Sequence, residues 1–297
     1  MAPTPRIALI ANPVSGRGRG AQMLRSLQTE LLAREVRVEA FTTQKAGDAR
    51  LHARHVEADI VVAIGGDGTL SEVLDGAAGR PVSVAQVPLG TANVLALDMR
   101  LPRQVNRTAD MLLAGRTVQL DTALVRAHAQ LERRGFLVLG VGFDGHAVHT
   151  LERARNGPIS KLTWARAVLD AWRTWQPSDL QVTVQGPHGT SHHACQSVLV
   201  ANCIHYGGFA VLDPARRLDD GLYEVYLCAR ASRSALLRTG LTGVLGRFPG
   251  AVATLVRASQ VQITASRPTP VQLDGDALGL TPASLQVDQT RTRLVVP

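Results

Sequence analysis

DIVVAIGGDGTL, residues 59–70, is the most informative run in this chain of 297 residues. Residues 59–64 form a continuous run rich in β-branched side chains, the mark of a strand covered on both faces. Gly65 and Gly66 stop it, and the spacing predicts a helix from Leu70 to about Ala78. The same alternation repeats on either side. Residues 6–11 (RIALIA) are long enough for a buried strand and are broken by Pro13, Gly16, Gly18 and Gly20. Residues 21–34 then place Met23, Leu24, Leu27, Leu31 and Leu32 at helical spacing. Residues 36–41 read as a strand, 48–56 as a helix, and 82–87 as a strand stopped by Pro88 and Gly90, with a helix opening near Asn93. This βαβα order predicts an α/β domain with a parallel sheet and helices on both faces.

The texture changes near Asp121. Residues 136–141, 180–185, 196–201, 222–228, 261–264, 271–273 and 285–287 are short alternating stretches separated by Gly, Pro and Asp turns. They predict an antiparallel, β-sandwich-like domain of two packed sheets. Helical patterns interrupt it at 159–175 and 234–245. The expected organisation is an α/β domain over 1–121 and a β-rich domain over 122–287. A last strand within 288–297 is free to return to the first domain.

Hydrophobic residues are 45% and charged residues 19% of the chain, which excludes a disordered chain or a coiled coil. A membrane-spanning helix needs roughly 20 apolar residues in a row, and the best apolar runs, such as 60–64 and 137–139, are far shorter. The opening MAPTPRIALI lacks the features of a signal peptide. Three cysteines without zinc spacing, Cys195, Cys203 and Cys228, fit a reduced cytosolic compartment. Lys and Arg number 32 against 24 Asp and Glu, a net charge of +8. That balance suits nucleic acid, an anionic membrane surface or phosphate ligands, or simply a basic surface. Aromatics at 4% argue against base stacking on single strands, so nucleic acid is not an expected partner.

Three glycine-rich turns follow successive strands. In the first, residues 12–21, Gly16, Gly18 and Ala21 superficially match a dinucleotide fingerprint, with Glu39 near the distance for a ribose contact. Asn12 to Ser15 intervene where that fingerprint closes its strand directly, and the glycines alternate with arginines, which favours a basic loop near phosphate. The second, Gly65-Gly66-Asp67-Gly68-Thr69, lets backbone N–H groups approach a ligand at the positive end of a helix. Thr69 to Glu72 fits a capping box. Asp67 beside a phosphate cradle is repulsive unless a cation or a transferable proton lies between, which suggests a nucleotide with Mg²⁺. In the third, residues 88–93, Asn93 or Thr91 is placed to cap a helix. The three turns share the crevice at the carboxyl ends of parallel strands, where open α/β sheets bind ligands.

NPVSG (12–16), GGDGT (65–69) and PLGTAN (88–93) together resemble the catalytic domain of the diacylglycerol kinase and sphingosine kinase superfamily, and within it the bacterial lipid kinases without membrane spans. The likeness continues through GVGFDG (140–145), Asn202, YGGFAVLDPARRLDDG (206–221) and Asp274-Gly275-Asp276. GGDGT alone is shared with NAD kinases and phosphofructokinases. The resemblance implies an α/β domain and a β-sandwich-like domain with the active site between them. It implies an ATP- and Mg²⁺-dependent kinase acting on the hydroxyl of a diacylglycerol-like lipid. Asn12, Thr43, Gly65, Gly66, Asp67, Gly68, Thr69, Leu70, Ser71 and Thr91 would then contact the nucleotide. Asp67 would organise Mg²⁺ or the acceptor hydroxyl, and Asp276 would be the proton acceptor, with Asp where the family carries Glu. Ser71 likewise replaces the family's usual Asn. A structural Mg²⁺ of some relatives would match Asp220 and the carbonyl of Leu222, but its partner position holds Arg217, so this site is expected to be weak or absent. Asp219 and Asp220 also fit an ordinary turn. An acceptor in a membrane places the protein in the cytoplasm, peripheral at the inner membrane surface, and leaves room for a homodimer.

Other residues invite less. His192 and His193 point to opposite faces of a strand, so only His193 and Cys195 share one. His52 and His55 fit a solvated helix face. Trp164, Trp172 and Trp175 read as core packing or, beside Lys161, Arg166 and Arg173, as a lipid-facing helix. Cys203 and Cys228 read as small buried hydrophobes. Two other readings of function stay open: a kinase with a soluble acceptor such as NAD, and a nucleotide-binding regulatory protein without turnover.

Overall fold

The computed structural model describes residues 4–128, 131–154, 161–207, 210–245 and 248–297. The chain forms two compact units, one running to Leu120 and joined by Thr290–Pro297, the other Asp121–Gln289.

The first unit contains β1 (Arg6–Ala11), α1 (Ser15–Gly18), α2 (Gly20–Ala33), β2 (Arg37–Thr42), α3 (Asp48–His55), β3 (Ile60–Gly65), α4 (Asp67–Ala77), β4 (Ser83–Pro88), α5 (Val94–Asp98), α6 (Val105–Ala114) and β5 (Thr117–Leu120). The last strand of the chain, β20 (Thr292–Val295), completes its sheet in the order β2-β1-β3-β4-β20-β5. β20 runs parallel to β4 and antiparallel to β5; the other pairings are parallel. Every residue of β3 is buried because helices cover both faces. On one face Leu9, Val62 and Ile64 pack with Leu27 and Leu31 of α2 and with Met111 and Leu112 of α6. Burying leucines such as these stabilises by roughly 1.5–3 kcal/mol each. On the other face α4 packs on β3 and β4, and α3 on α4. A Cβ on Gly76 of α4 would meet the Arg50 carbonyl of α3 at 2.3 Å, so only glycine permits that approach.

The second unit contains β6 (Ala123–Ala127), β7 (Leu131–Gly135), β8 (Val138–Val141), α7 (Phe143–Arg153), α8 (Lys161–Thr174), β9 (Leu180–Gly186), β10 (Gly189–Cys195), β11 (Ser197–Ala201), β12 (His205–Tyr206), β13 (Ala210–Val211), β14 (Tyr223–Cys228), α9 (Arg233–Val244), β15 (Thr254–Ala258), β16 (Gln260–Ala265), β17 (Pro270–Leu273), β18 (Asp276–Leu280) and β19 (Ala283–Val287). Two antiparallel six-stranded sheets, β10-β9-β16-β19-β6-β7 and β15-β14-β11-β8-β17-β18, face each other. Alternate residues of each sheet fill the core between them, Val182, Val184 and Ile263 from one and Leu139, Val200 and Val225 from the other. The expected α/β plus all-β class is the observed one.

Three local readings differ. The helix after GGDGT starts at Asp67, not Leu70, and α7 is a helix that the glycine-rich 140–145 run conceals. Trp175 stands just beyond α8 and is buried, with its indole N–H donating to the Ala231 carbonyl at 2.8 Å, whereas Trp164 and Trp172 are only half-buried. Residues 159–160 of the expected helix and 208–209 of the 206–221 run lie outside the described residues.

Candidate functional site

Because β1 to β4 run parallel, their carboxyl ends lie at one edge, and backbone hydrogen bonds continue past each strand there. Asn12 N–H donates to the Ile64 carbonyl at 3.1 Å, Thr43 N–H to Ala11 at 2.9 Å and Leu89 N–H to Gly65 at 2.9 Å. Asn12, Thr43 and the second and third glycine turns are thereby gathered together. The turns then touch through their bare backbones. A Cβ on Gly90 would meet Gly66 Cα at 2.6 Å, and one on Gly65 would meet Thr69 Oγ1 at 2.3 Å. Gly16 brings the first turn against Leu89, at 3.1 Å from a Cβ to the carbonyl, with a positive φ of 62°. The third turn is fixed by Asn93, whose Oδ1 accepts from Gly90 N–H at 2.8 Å while its Nδ2 donates to the Gly90 carbonyl at 2.6 Å. Asn93 does occupy the N-cap position of α5, but at φ 48° and with no side-chain capping bond.

Asp67 is the first residue of α4. Its Oδ2 accepts from Val94 N–H at 3.3 Å, bridging the starts of two helices, while Oδ1 is buried and accepts nothing. Burial raises its pKa against the pull of the Val94 and Asn93 N–H groups. Gln86 lies close enough to add a weak pull, yet its amide makes no hydrogen bond of normal geometry. An orphaned, buried carboxylate oxygen at a helix N-terminus fits a cation or a shared proton. Among the described residues no cluster of three or more metal-ligating side chains exists, so a Mg²⁺ at Asp67 would draw its other ligands from phosphate and water.

The remaining candidates of the second turn divide by exposure. Gly68 is exposed with open space where a Cβ would lie. Thr69, Leu70 and Ser71 are buried inside the unit, and Leu70 N–H is already bonded to the Gly66 carbonyl at 3.1 Å. Leu70 and Ser71 therefore present no side chain to a ligand. Thr91 is exposed, and Thr43 is buried with its hydroxyl 3.4 Å from the Ala11 carbonyl. The capping box is absent: Gly66 is the N-cap of α4, and Glu72 instead accepts from Gly47 and Ala49 N–H at 2.9 and 3.1 Å, capping the neighbouring α3. What the edge offers is backbone N–H groups with no intrahelical partner, at the positive end of an 11-residue helix.

In the second unit, Asp274 and Gly275 are the two central residues of the β17–β18 hairpin, with φ of 52° and 91°. Asp-Gly is the preferred pair for a turn needing positive φ twice. The Asp274 carboxylate accepts from Phe136, Leu137 and Val138 N–H at 3.1, 2.9 and 2.9 Å. Burial nevertheless pushes it up to about 6. Gln272 Oε1 accepts from Gly275 N–H at 2.9 Å, and its Nε2 donates to Asp144 at 2.6 Å. Tyr206 donates to the other Asp144 oxygen, and burial pushes Asp144 up to about 6. Asp276, at the start of β18, is 49% exposed and accepts from Arg133 at 3.0 Å. The Asp274-Gly275-Asp276 motif located this turn and GVGFDG contains Asp144, but neither showed that the two meet; Arg133 and Gln272 carry no local signal.

Asp220 and the Leu222 carbonyl do converge, but on a guanidinium. Arg216 donates to Asp220 at 3.0 Å, to Asn202 Oδ1 at 2.5 Å and to the Leu222 carbonyl, and it pairs with Glu224 at 2.6 Å. The side chains of Arg216 and Glu224 are both 0% exposed. A fixed cation already holds these oxygens, so a structural Mg²⁺ does not fit. Arg217 is not the obstacle; it turns outward to Asp219 at 3.1 Å.

His192 and His193 bond separately to Thr183 and Ser191, and His52 stacks on Phe41 with ring centroids 4.5 Å apart. Cys203 is buried, but Cys228 is only half-buried.

Two family models match. The diacylglycerol kinase catalytic domain covers residues 6–125, and the YegS C-terminal NAD kinase beta sandwich-like domain covers 137–296. A diacylglycerol kinase of Staphylococcus carnosus (strain TM300) is 24% identical over 94% of this chain and 91% of its own length. One of Bacillus subtilis (strain 168) is 23% identical over 98% and 96%. A crystal structure of a diacylglycerol kinase from Bacillus anthracis superposes with a TM-score of 0.75 at 20% identity, covering 98% of this chain and 97% of that one.

Proposed function

The chain belongs to the family that joins a diacylglycerol kinase catalytic domain to a YegS-type C-terminal domain, and from that premise we propose an ATP- and Mg²⁺-dependent kinase that phosphorylates the hydroxyl of a diacylglycerol-like lipid. The observation that carries this reading is the edge of the first unit. There Gly66 and Gly90 leave backbone bare, and Asp67 Oδ1 waits buried and unbonded. The turns around Asn12, Gly65, Gly66, Gly68 and Thr91 would cradle the nucleotide's phosphates, with Thr43, Thr69, Leu70 and Ser71 shaping the walls behind them. Asp67 would hold Mg²⁺, which supplies neutralisation of the charge developing on the transferred group. Asp276 accepts the acceptor hydroxyl's proton. Arg133 donates to that carboxylate at 3.0 Å and fixes its position. The protein acts from the cytoplasmic side, reaching the membrane surface reversibly; among the described residues no helix is long and apolar enough to cross it.

Labelled ATP, Mg²⁺ and a lipid panel in mixed micelles test this. Label on a lipid alcohol is expected; ATP binding with no labelled lipid overturns it. The description of the second matching domain, NAD kinase beta sandwich-like, favours one other reading, a soluble acceptor. NADP formation from NAD in the same assay would move the acceptor class to that reading.

A further inference from the structure

Helix α9 is built inside out. An ordinary surface helix turns its bulky apolar residues toward the core. Here small residues face the protein: Ala235 is buried, and Gly243 is buried with a Cβ position 3.4 Å from Ala210. Leu236 is half-buried, but three other leucines face out. Leu237, Leu241 and Leu245, at or just past the end of α9, are 61%, 60% and 57% exposed, among the most exposed large hydrophobics described. At about 100° per residue they span an arc of about 80°. Arg233 lies about 40° to one side of that arc and Arg238 about 20° beyond the other. Long cationic side chains flanking an apolar stripe can place their charges in a headgroup layer while the leucines enter the acyl boundary.

The stretch of chain that carries the stripe has charge of one sign. From 225 to 273 the chain has 49 residues with no Asp or Glu and six arginines. The patch extends to the end of α8, where Arg233 lies over the Trp172 ring at 5.8 Å and Trp172 Nε1 donates to the Arg233 carbonyl at 3.1 Å. Half-exposed Leu169 adds apolar surface there, and the adjacent Asp170 pairs with Arg173 at 3.6 Å.

We infer that the outward face of α9 is a docking surface for an anionic lipid bilayer, with Leu237, Leu241 and Leu245 inserting and Arg233 and Arg238 engaging lipid phosphates. The identification rests on the lipid-acceptor reading above for its biological sense, but its test does not need turnover. Wild type, the triple variant L237S/L241S/L245S and the pair R233Q/R238Q are sedimented with phosphatidylcholine vesicles, with and without phosphatidylglycerol. Wild type is expected to bind the anionic vesicles and little of the neutral ones. The triple variant should bind at least about tenfold more weakly, since one inserted leucine is worth roughly that factor. The arginine pair should lose the preference for anionic vesicles and its salt sensitivity. Unchanged unfolding midpoints in urea confirm that both variants are folded. Wild-type-like binding by the folded triple variant overturns the surface and leaves the kinase reading standing. Loss of binding by that variant in a protein that phosphorylates no lipid in any format sustains the surface and overturns the kinase reading. If the triple substitution instead converts a dimer to a monomer in analytical ultracentrifugation while vesicle binding persists, a second copy covers this face and the proposal fails.

Discussion

The glycine turns of the first unit and the Asp274–Asp276 turn of the second are built in opposite ways. The first keeps side chains away: Gly66 and Gly90 approach so closely that a single Cβ would lie 2.6 Å from the facing Cα. The second depends on them: one carboxylate, Asp274, holds three backbone N–H groups, and one amide, Gln272, ties the hairpin to Asp144. A surface made of backbone fails when something is added, and a turn held by side chains fails when something is removed.

The largest effect should come from removal. Asp274→Ala strands three N–H groups at about 1–3 kcal/mol each, so the second unit should lose several kcal/mol in urea denaturation. A loss under about 1 kcal/mol would show that the hairpin does not depend on that carboxylate. Asp276→Ala, two residues on, is expected to leave stability within about 0.5 kcal/mol because the side chain is exposed, while phosphoryl transfer falls by about 10²–10⁴. Retained turnover would take Asp276 out of the proposed chemistry.

Addition gives the next effect. Gly90→Ala should cost about 1–3 kcal/mol and weaken ATP binding measured by calorimetry, whereas Gly68→Ala, with open space around it, should cost no more than about 1 kcal/mol. Equal effects at both positions would mean that close approach of the turns is not what the glycines provide.

The smallest is a pH effect. Asp144 is raised by burial to about 6 from 3.8, so the folded state holds its proton more tightly than the unfolded state. Its contribution to stability is complete below about pH 4 and is lost as pH rises through about 6. Asp274 behaves likewise. Asp144→Asn should flatten the decline of the thermal midpoint between pH 4 and 6; an unchanged slope would show that Asp144 does not titrate there.

Much of this was legible in the chain because it depends on neighbours in sequence. The residue 59–64 run must be a covered strand wherever it packs, and Gly65 and Gly66 must end it. The alternation of the second half could bury one face only by pairing two sheets. Turns that depend on glycine are written in the sequence because no other residue leaves the backbone bare.

What the chain left open turned on which of several local options gained a distant partner. Thr69 and Glu72 satisfy the spacing of a capping box, yet Glu72 finds the N–H groups of Gly47 and Ala49 on another helix, and α4 starts at Asp67 without it. Arg216 and Arg217 are equivalent by composition and adjacent by number. Packing turned Arg216 inward to Asp220, Asn202, Leu222 and Glu224, and so gave the site a guanidinium in place of a metal. The outward leucines of α9 read from the sequence as an ordinary helical pattern; the burial of Ala235 and Gly243 shows which side faces the protein. A hydrogen bond or a buried charge gains its full worth only where water is excluded, and it is the folded chain that decides where that is.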